Sequence, residues 1–345
     1  MANSMSTAPN DQSFIFITGA SRSGTTMLSR IIGNAPDVLP LNELHFFGGL
    51  VPAEHSSELL GSERAAYVVA MTLARHARDF WVKEPTDQEW MTARRIVSEL
   101  PAEEVTGDNL FACAMQEILR DTSAKRVCEQ TPRNIYYAQH LLDVYPNAQI
   151  VHVVRDPRAV LASQKNRYQM RALGGKNVPF SEIVRLWLNY HPFSMTKLWR
   201  SATHAAQALS AHERFHIVRY EDLITNPSAT LRPLCETLGV DYSDELLDVP
   251  HYGSSTVTHS ESAGISDAAL NKWQSVLNRG EIAWCERRTR DERSEFGYND
   301  VEPAGSAVPG YLGMALRLPV HVLGALLANP GRVVTVLRAM AGGRS

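Results

Sequence analysis

The sequence predicts an α/β fold: a P-loop-type doubly wound parallel sheet flanked by helices, with helical elaborations and a basic, amphipathic C-terminal tail. Three observations predict it. First, four short apolar runs, at residues 14–17, 126–128, 150–154 and 215–218, are continuous rather than alternating, as strands buried on both faces of a parallel sheet are. Second, polar residues follow each run, which puts a ligand crevice at the carboxyl ends of the strands. Third, helical patterns at 62–81, 87–100, 108–121, 134–144, 157–167, 181–209 and 228–238 separate the runs, and that alternation builds βαβ units.

Taken in order, residues 1–13 form a polar leader, expected to be disordered, with neither a basic n-region nor an apolar h-region, so no secretory signal is expected. Residues 14–301 make the main domain, within which the mainly helical stretch of about 50–122 is an elaboration on the sheet. Residues 302–310 are punctuated by Pro303, Gly305, Pro309 and Gly310 and read as a linker. Residues 311–345 are apolar and basic. Arg317, Pro319 and His321 argue against a spanning helix there, and Asn329-Pro330-Gly331 divides the stretch into two expected amphipathic helices.

Composition bounds the function. The 345 residues are 44% hydrophobic and 21% charged, a globular balance. With 34 basic against 37 acidic residues the net charge of −3 gives no electrostatic footprint for nucleic acid. The distribution is uneven: Glu302 is the last acidic residue and Arg317, Arg332, Arg338 and Arg344 follow it, so the body carries −7 and the tail +4. Four scattered cysteines without a C-x-x-C pair read as reduced thiols and exclude a zinc knuckle. The twelve histidines show no metal-ligand spacing, so no metal is expected, and a cytoplasmic location follows from the leader and the thiols.

The chemistry-bearing motif comes first in the chain. Gly19 and Gly24, directly after the first strand, have the G-x-x-x-x-G spacing of a phosphate loop, where backbone N–H groups and a helix N-terminus face an anion. A nucleotide triphosphatase places a lysine after the second glycine. Here Thr25 stands there, and the cation is Arg22, within the loop. A shorter anionic group than a triphosphate is expected, cradled by Arg22, Ser23, Gly24, Thr25 and Thr26. A second basic turn, Arg155 to Arg158, ends the third run; Ser163 and Arg167, four apart on the next helix, make with Arg155 a second anion site. Two separate anion sites imply a ligand phosphorylated at two places.

These motifs, in this order, resemble those of sulfotransferases that use 3′-phosphoadenosine 5′-phosphosulfate (PAPS), in the branch containing tyrosylprotein sulfotransferases and their bacterial relatives. The resemblance covers roughly residues 14–298. It implies that Ser21-Arg22-Ser23-Gly24-Thr25-Thr26 wraps the 5′-phosphosulfate and that Arg155-Asp156-Pro157-Arg158 with Ser163 and Arg167 holds the 3′-phosphate. It further implies that Tyr220, in Arg219-Tyr220-Glu221-Asp222-Leu223, lies near the nucleotide, and that the segment from Ile265 to Lys272-Trp273 closes over it. Glu43 matches the family's catalytic glutamate. His45 is the rival base, whereas His152 is expected to be a buried core residue. Two positions depart from the pattern: Ser21 replaces a proline, and Gln130, in Glu129-Gln130-Thr131-Pro132-Arg133-Asn134, replaces a lysine that helps to neutralise the transferring group.

The function expected is therefore transfer of a sulfonyl group from PAPS to a hydroxyl of a glycan, a lipid-linked molecule or a small molecule, with Glu43 and Arg22 catalytic and no metal. The competing readings are a P-loop kinase using ATP and a non-catalytic nucleotide-binding or membrane-associated protein. Trp81, Trp90, Trp187, Trp199 and Tyr190 are candidates to stack on an acceptor, with packing in the core as the plainer role. Residues 311–341 are expected to contact an anionic membrane surface, or else to dock on the core or on a second subunit of a homodimer.

Overall fold

The computed structural model describes residues 12–167, 180–249, 270–301 and 305–328. The chain divides into two compact units, residues 1–154 with 202–249, and residues 155–201 with 250–345.

The first unit is built on five parallel strands: β1 (Phe14–Gly19), β2 (Val38–Pro40), β3 (Arg126–Glu129), β4 (Gln149–Val154) and β5 (Phe215–Arg219). Their order is β2-β3-β1-β4-β5. The chain leaves the central β1 toward β2 and β3, then crosses to β4 and β5, so the topological switch lies between β1 and β4, where such sheets bind ligands. The register sets Phe16 against Glu129 on one side of β1 and Gly19 against Val153 on the other. All six residues of β1 are buried, which accounts for its unbroken apolar run. The four expected strands are present. β2 was not among them: three residues ending in a proline carry no periodicity, and an edge strand tolerates the missing donor.

Helices α1 (Thr25–Gly33), α2 (Ser62–Arg78), α3 (Asp87–Glu99), α4 (Gly107–Leu119) and α5 (Ala138–Val144) belong to this unit, as do α9 (Tyr220–Thr225) and α10 (Pro227–Leu238). An aromatic cluster fastens the helical elaboration to the sheet. Phe111 of α4 stands 5.5 Å from Phe14 and 5.1 Å from Phe46, and Phe14 stands 4.9 Å from Tyr145. Rings at these separations add specific geometry to a large buried area. Phe46 and Phe47 thereby tie the segment that follows Glu43 to the core. His152 is buried as expected, its Nδ1 3.2 Å from Thr18 Oγ1, and burial pushes its pKa down to about 3.

The second unit holds α6 (Pro157–Lys165), α7 (Phe180–Asn189), α11 (Trp273–Val276), α12 (Arg279–Arg288), α13 (Arg290–Glu295) and α14 (Val308–Ala328). The helix α8 (Pro192–Ala208) passes from this unit into the first. Two expectations are corrected here. The single helix over 181–209 is two, because Pro192 cannot continue α7 and instead takes the first position of α8. The expected linker ends early, since α14 begins at Val308, and α14 runs without a break through Pro319 to Ala328. By length and composition alone it is apolar enough to cross a membrane. The second expected tail helix, beyond Asn329, lies outside the described residues, as do residues 1–11 of the leader.

Candidate active site

The loop from Gly19 to Gly24 has the close approaches its glycines predict. A Cβ on Gly19 would stand 2.8 Å from the Val153 carbonyl oxygen, so β1 and β4 meet here without room for a side chain. Gly24 has φ of 102°, and a Cβ there would lie 2.4 Å from Cδ2 of Tyr220. Tyr220, the residue expected near the nucleotide, thus walls the loop. Arg22 has φ of 80°, a conformation rare outside glycine and often found at functional turns. Ser23 N–H donates to the Ala20 carbonyl (3.0 Å), which closes the turn.

The loop leaves anion-binding capacity unused. α1 has no side-chain N-cap and no acidic residue in its first turn, so its positive end is uncompensated. Ser23 Oγ is fully buried without a hydrogen-bond partner. A buried hydroxyl left unpaired is costly, and an oxygen of a phosphate or sulfonyl group would satisfy it. The residues present fit the 5′ end of PAPS on these grounds.

Three residues at the end of β3 join this loop to the candidate base. Thr26 Oγ1 donates to Gln130 Oε1 (3.0 Å), so the residue in the family's lysine position is bonded to the first turn of α1. On its N-terminal side, Glu129 is buried and its carboxylate accepts from Leu44 N–H (3.2 Å), Thr131 N–H (3.0 Å), Asn134 Nδ2 (2.7 Å) and the Thr131 hydroxyl. Burial raises its pKa, and the bonds from Thr131 and Leu44 oppose that rise. On the C-terminal side, Thr131 Oγ1 accepts from His45 N–H (3.0 Å).

Those bonds hold a strained turn. His45 has φ of 46°, and Nη1 of Arg75 donates to the carbonyls of both Leu44 (2.6 Å) and His45 (3.1 Å). The turn brings the two rival bases together: His45 Nε2 lies 2.9 Å from Glu43 Oε2. Phe80 lies against the imidazole, with ring centroids 4.3 Å apart. Both side chains keep access to solvent, at 39% for Glu43 and 20% for His45. A carboxylate bonded to an imidazole that is partly exposed can take a proton from an incoming hydroxyl or orient the partner that does.

The second unit carries the other predicted residues. Arg155 is buried, and its carbonyl accepts from Trp199 Nε1 (2.9 Å), so Trp199 is a core residue. Asp156 caps α6 by accepting from Arg158 N–H (2.8 Å). The Arg158 guanidinium is consumed by structure: it bonds Asp156 (Nη2 to Oδ2, 2.7 Å), Glu286 (2.6 Å) and the Asn299 carbonyl (3.0 Å), and lies 4.3 Å from the Trp273 ring centre. The expectation that the whole Arg155–Arg158 turn holds phosphate is corrected for Arg158. Ser163 is on α6 and half-buried, but α6 ends at Lys165, so Arg167 lies past its end and the expected shared helix face does not extend to it. Lys272 immediately precedes α11 and is exposed. The segment from Ile265 to Ser266-Asp267 lies outside the described residues. Trp81, Trp90 and Tyr190 are partly buried; Trp187 is exposed.

Sequence reasoning missed Glu129, Thr131, Asn134 and Arg75. The first three lie in the motif that contains Gln130, where the departure from the family pattern drew attention from its neighbours. Arg75 is thirty residues from His45, on α2, and nothing local marks it.

Residues 14–244 match the family model described as the sulfotransferase family. Protein-tyrosine sulfotransferase A of Caenorhabditis elegans is 26% identical, covering 93% of this chain and 78% of the relative. Carbohydrate sulfotransferase 5 of Mus musculus is 26% identical, covering 72% and 69% respectively. Among solved structures, the sulfotransferase domain from the Synechococcus PCC 7002 olefin synthase superposes with a TM-score of 0.52 at 21% identity, covering 84% of this chain and 96% of that one, a likeness of fold.

Proposed function

This chain belongs to the sulfotransferase family, and from that premise we propose that Glu43 and His45 act together as the base that deprotonates the acceptor hydroxyl while the loop around Arg22 holds the donor. The enzyme transfers a sulfonyl group from PAPS to a hydroxyl-bearing acceptor, and PAPS supplies an activated sulfonyl group whose leaving group is a phosphate. The observation that carries the proposed division of labour is the tripeptide Glu129-Gln130-Thr131. One of its residues bonds the first turn of α1 and the other two bond the backbone of the turn between Glu43 and His45.

Sulfonyl transfer, like phosphoryl transfer, depends mainly on in-line positioning and on charge stabilisation. Arg22, always protonated, balances charge on the departing phosphate. Ser23 Oγ, the Thr25 hydroxyl, the Thr26 backbone N–H and the end of α1 are assigned to the oxygens of the 5′ end. Gln130 donates through its amide where a lysine would place a full charge. Its oxygen accepts from Thr26, which leaves its Nε2 as the donor. Tyr220 is assigned to nucleotide contact. Arg155, Ser163 and Arg167 are assigned to the 3′-phosphate by the motif they share with the family, and Lys272 to the segment that covers the nucleotide.

The relatives named for protein tyrosine and for carbohydrate share only a hydroxyl as acceptor, so their names set the functional group and not the molecule. A cytoplasmic enzyme lying peripherally on the membrane is our reading of its place. Four free cysteines, three of them buried, and the apolar helix α14 in a basic tail support it. The experiment is transfer of labelled sulfonate from PAPS into lipid, glycan, peptide and small-phenol fractions. Label appearing in one fraction with PAPS supports the proposal. Transfer from labelled ATP with magnesium, and none from PAPS, overturns it in favour of a kinase.

A further inference from the structure

The surroundings of the acceptor, as distinct from the base itself, begin at the end of α2. Asp79 has φ of 99° and ψ of 167°, a region almost confined to glycine, and it stops the helix there. Its N–H donates to the Arg75 carbonyl (2.9 Å) and its Oδ1 accepts from Trp81 N–H (2.7 Å), so the turn is held from both sides. The reversal decides where Phe80 goes. Along a continuing helix Phe80 would point about 140° away from Arg75. After the turn its ring centre lies 5.1 Å from the Arg75 guanidinium and 4.3 Å from the His45 imidazole. Trp81 meets Phe80 edge to face, with ring centroids 5.3 Å apart. Both rings are only partly buried. Packing alone does not call for a strained turn that leaves two rings half open beside a base.

We infer that Phe80 and Trp81 form the wall on which the acceptor lies, and that they select an uncharged alcohol whose hydroxyl is borne on a ring. The inference rests on the reading of Glu43 and His45 as the base. His45 Nε2 lies 2.9 Å from Glu43 Oε2, and Phe80 packs on that same imidazole, so a hydroxyl brought to this pair has its carbon skeleton within reach of Phe80. Aromatic side chains offer a large apolar area and favour ring partners, stacked or edge-on, over open chains. Charge narrows the class. Residues 78–84 carry Arg78 and Lys83 against Asp79 and Glu84, a balance of zero. Arg78 is already bonded to Glu89 (2.7 Å), and Nη1 of Arg75 to the Leu44 and His45 carbonyls. An acidic peptide would thus meet the Glu43 carboxylate with no surplus of cations on this segment to offset it. Phe80 and Trp81 determine specificity here and take no part in proton transfer.

Calorimetric binding to the full chain loaded with 3′,5′-adenosine bisphosphate tests this, together with kcat and KM for transfer from PAPS. The probes are naphthol, cyclohexanol, methyl glucoside, propanol and a glutamate-rich tyrosyl peptide. Wild type is compared with Phe80→Leu, which keeps an apolar contact on His45 but removes the ring, and with Trp81→Leu. Each variant is expected to weaken binding and raise KM about tenfold for the ring alcohols, as loss of one aromatic contact implies. For propanol, and for bisphosphate affinity, the change should stay below about threefold, and kcat should hold within the same range. A larger loss with naphthol supports the wall with an aryl acceptor, and a larger loss with cyclohexanol or the glucoside supports it with a saturated ring. A fall in kcat shared by every probe, propanol included, overturns the inference and makes Phe80 a support for His45. Absence of ring-alcohol binding by wild type, or preference for the peptide, overturns it also. Ring alcohols bound and lost as expected, but without transfer from PAPS, would leave the wall standing and overturn the transfer reading.

Discussion

Glu43 Oε2 and His45 Nε2 lie 2.9 Å apart, across a turn in which His45 takes a left-handed backbone conformation. Residues two apart share a face of an extended backbone, and these two side chains stay bonded although the chain turns at His45, where φ is positive. The strain is offset from outside the turn, by Glu129, Thr131 and Arg75. The base is therefore positioned by residues that do not themselves meet the acceptor.

Glu129→Gln tests that relationship. The amide keeps the shape but replaces one accepting oxygen with a donor, facing N–H and O–H groups that also donate. Turnover is expected to fall by about 10- to 100-fold as the Glu43 turn loosens, in line with the effect of misplacing a reacting group. Affinity for 3′,5′-adenosine bisphosphate, measured calorimetrically, should change less than threefold, a departure smaller than about 0.7 kcal/mol.

The loop gives the complementary case. Gly24→Ala places a methyl 2.4 Å from the Tyr220 ring at a φ of 102°. Bisphosphate affinity is expected to drop by roughly 100-fold or more, from strain of about 1–3 kcal/mol together with displacement of Tyr220. Equilibrium titration with bisphosphate measures it. Retained affinity would mean that the anion does not use this loop.

Arg158 is expected to matter for folding. Its guanidinium lies between Asp156 and Glu286, both nearly inaccessible. Arg158→Met leaves two buried carboxylates without their cation and should destabilise the protein by about 3–5 kcal/mol in denaturant titration.

His140 links α5 to the start of α4: its Nε2 lies 2.9 Å from Asp108 Oδ1 and 2.8 Å from Ser56 Oγ. The bond to Asp108 raises the His140 pKa. Burial pushes the Asp108 carboxyl up, but bonds from His140 and Ser57 outweigh it and the net shift is down. A raised histidine stabilises fully below its unfolded value of about 6.5 and loses that contribution as pH rises through the folded value. A lowered aspartate stabilises above its unfolded value of about 3.9 and loses it as pH falls further. The pair contributes most between about pH 4 and 6.5. Thermal midpoints of wild type and His140→Asn should differ most in that window and converge as pH rises beyond it.

Much of the framework was legible because its residues carry local signals. Phe14–Ile17 is an unbroken apolar run since both faces of β1 are covered, and Gly19 and Gly24 mark close approaches that only glycine allows. Glu43 and His45 were recognisable separately, and a spacing of two pairs side chains only in extended chain; residues 41–45 lie outside any strand, so their bond needed the structure. Arg158 looked like a ligand because Glu286 and Trp273, which engage it, are more than a hundred residues away. The break at Pro192 was marked in the sequence, whereas the continuity of α14 through Pro319 was not. An interior proline usually argues for a kink or an end, and the long apolar segments on either side carry the helix across it.

The most direct measurement of the central claim is turnover of PAPS by Glu43→Gln and His45→Asn, alone and combined, beside their affinities for 3′,5′-adenosine bisphosphate. If the two side chains act as one base, each single variant loses roughly 10²- to 10⁴-fold in kcat, the double variant loses little more than the worse single, and bisphosphate affinity is unchanged throughout. Wild-type turnover in Glu43→Gln, or losses that multiply in the double variant, would contradict it.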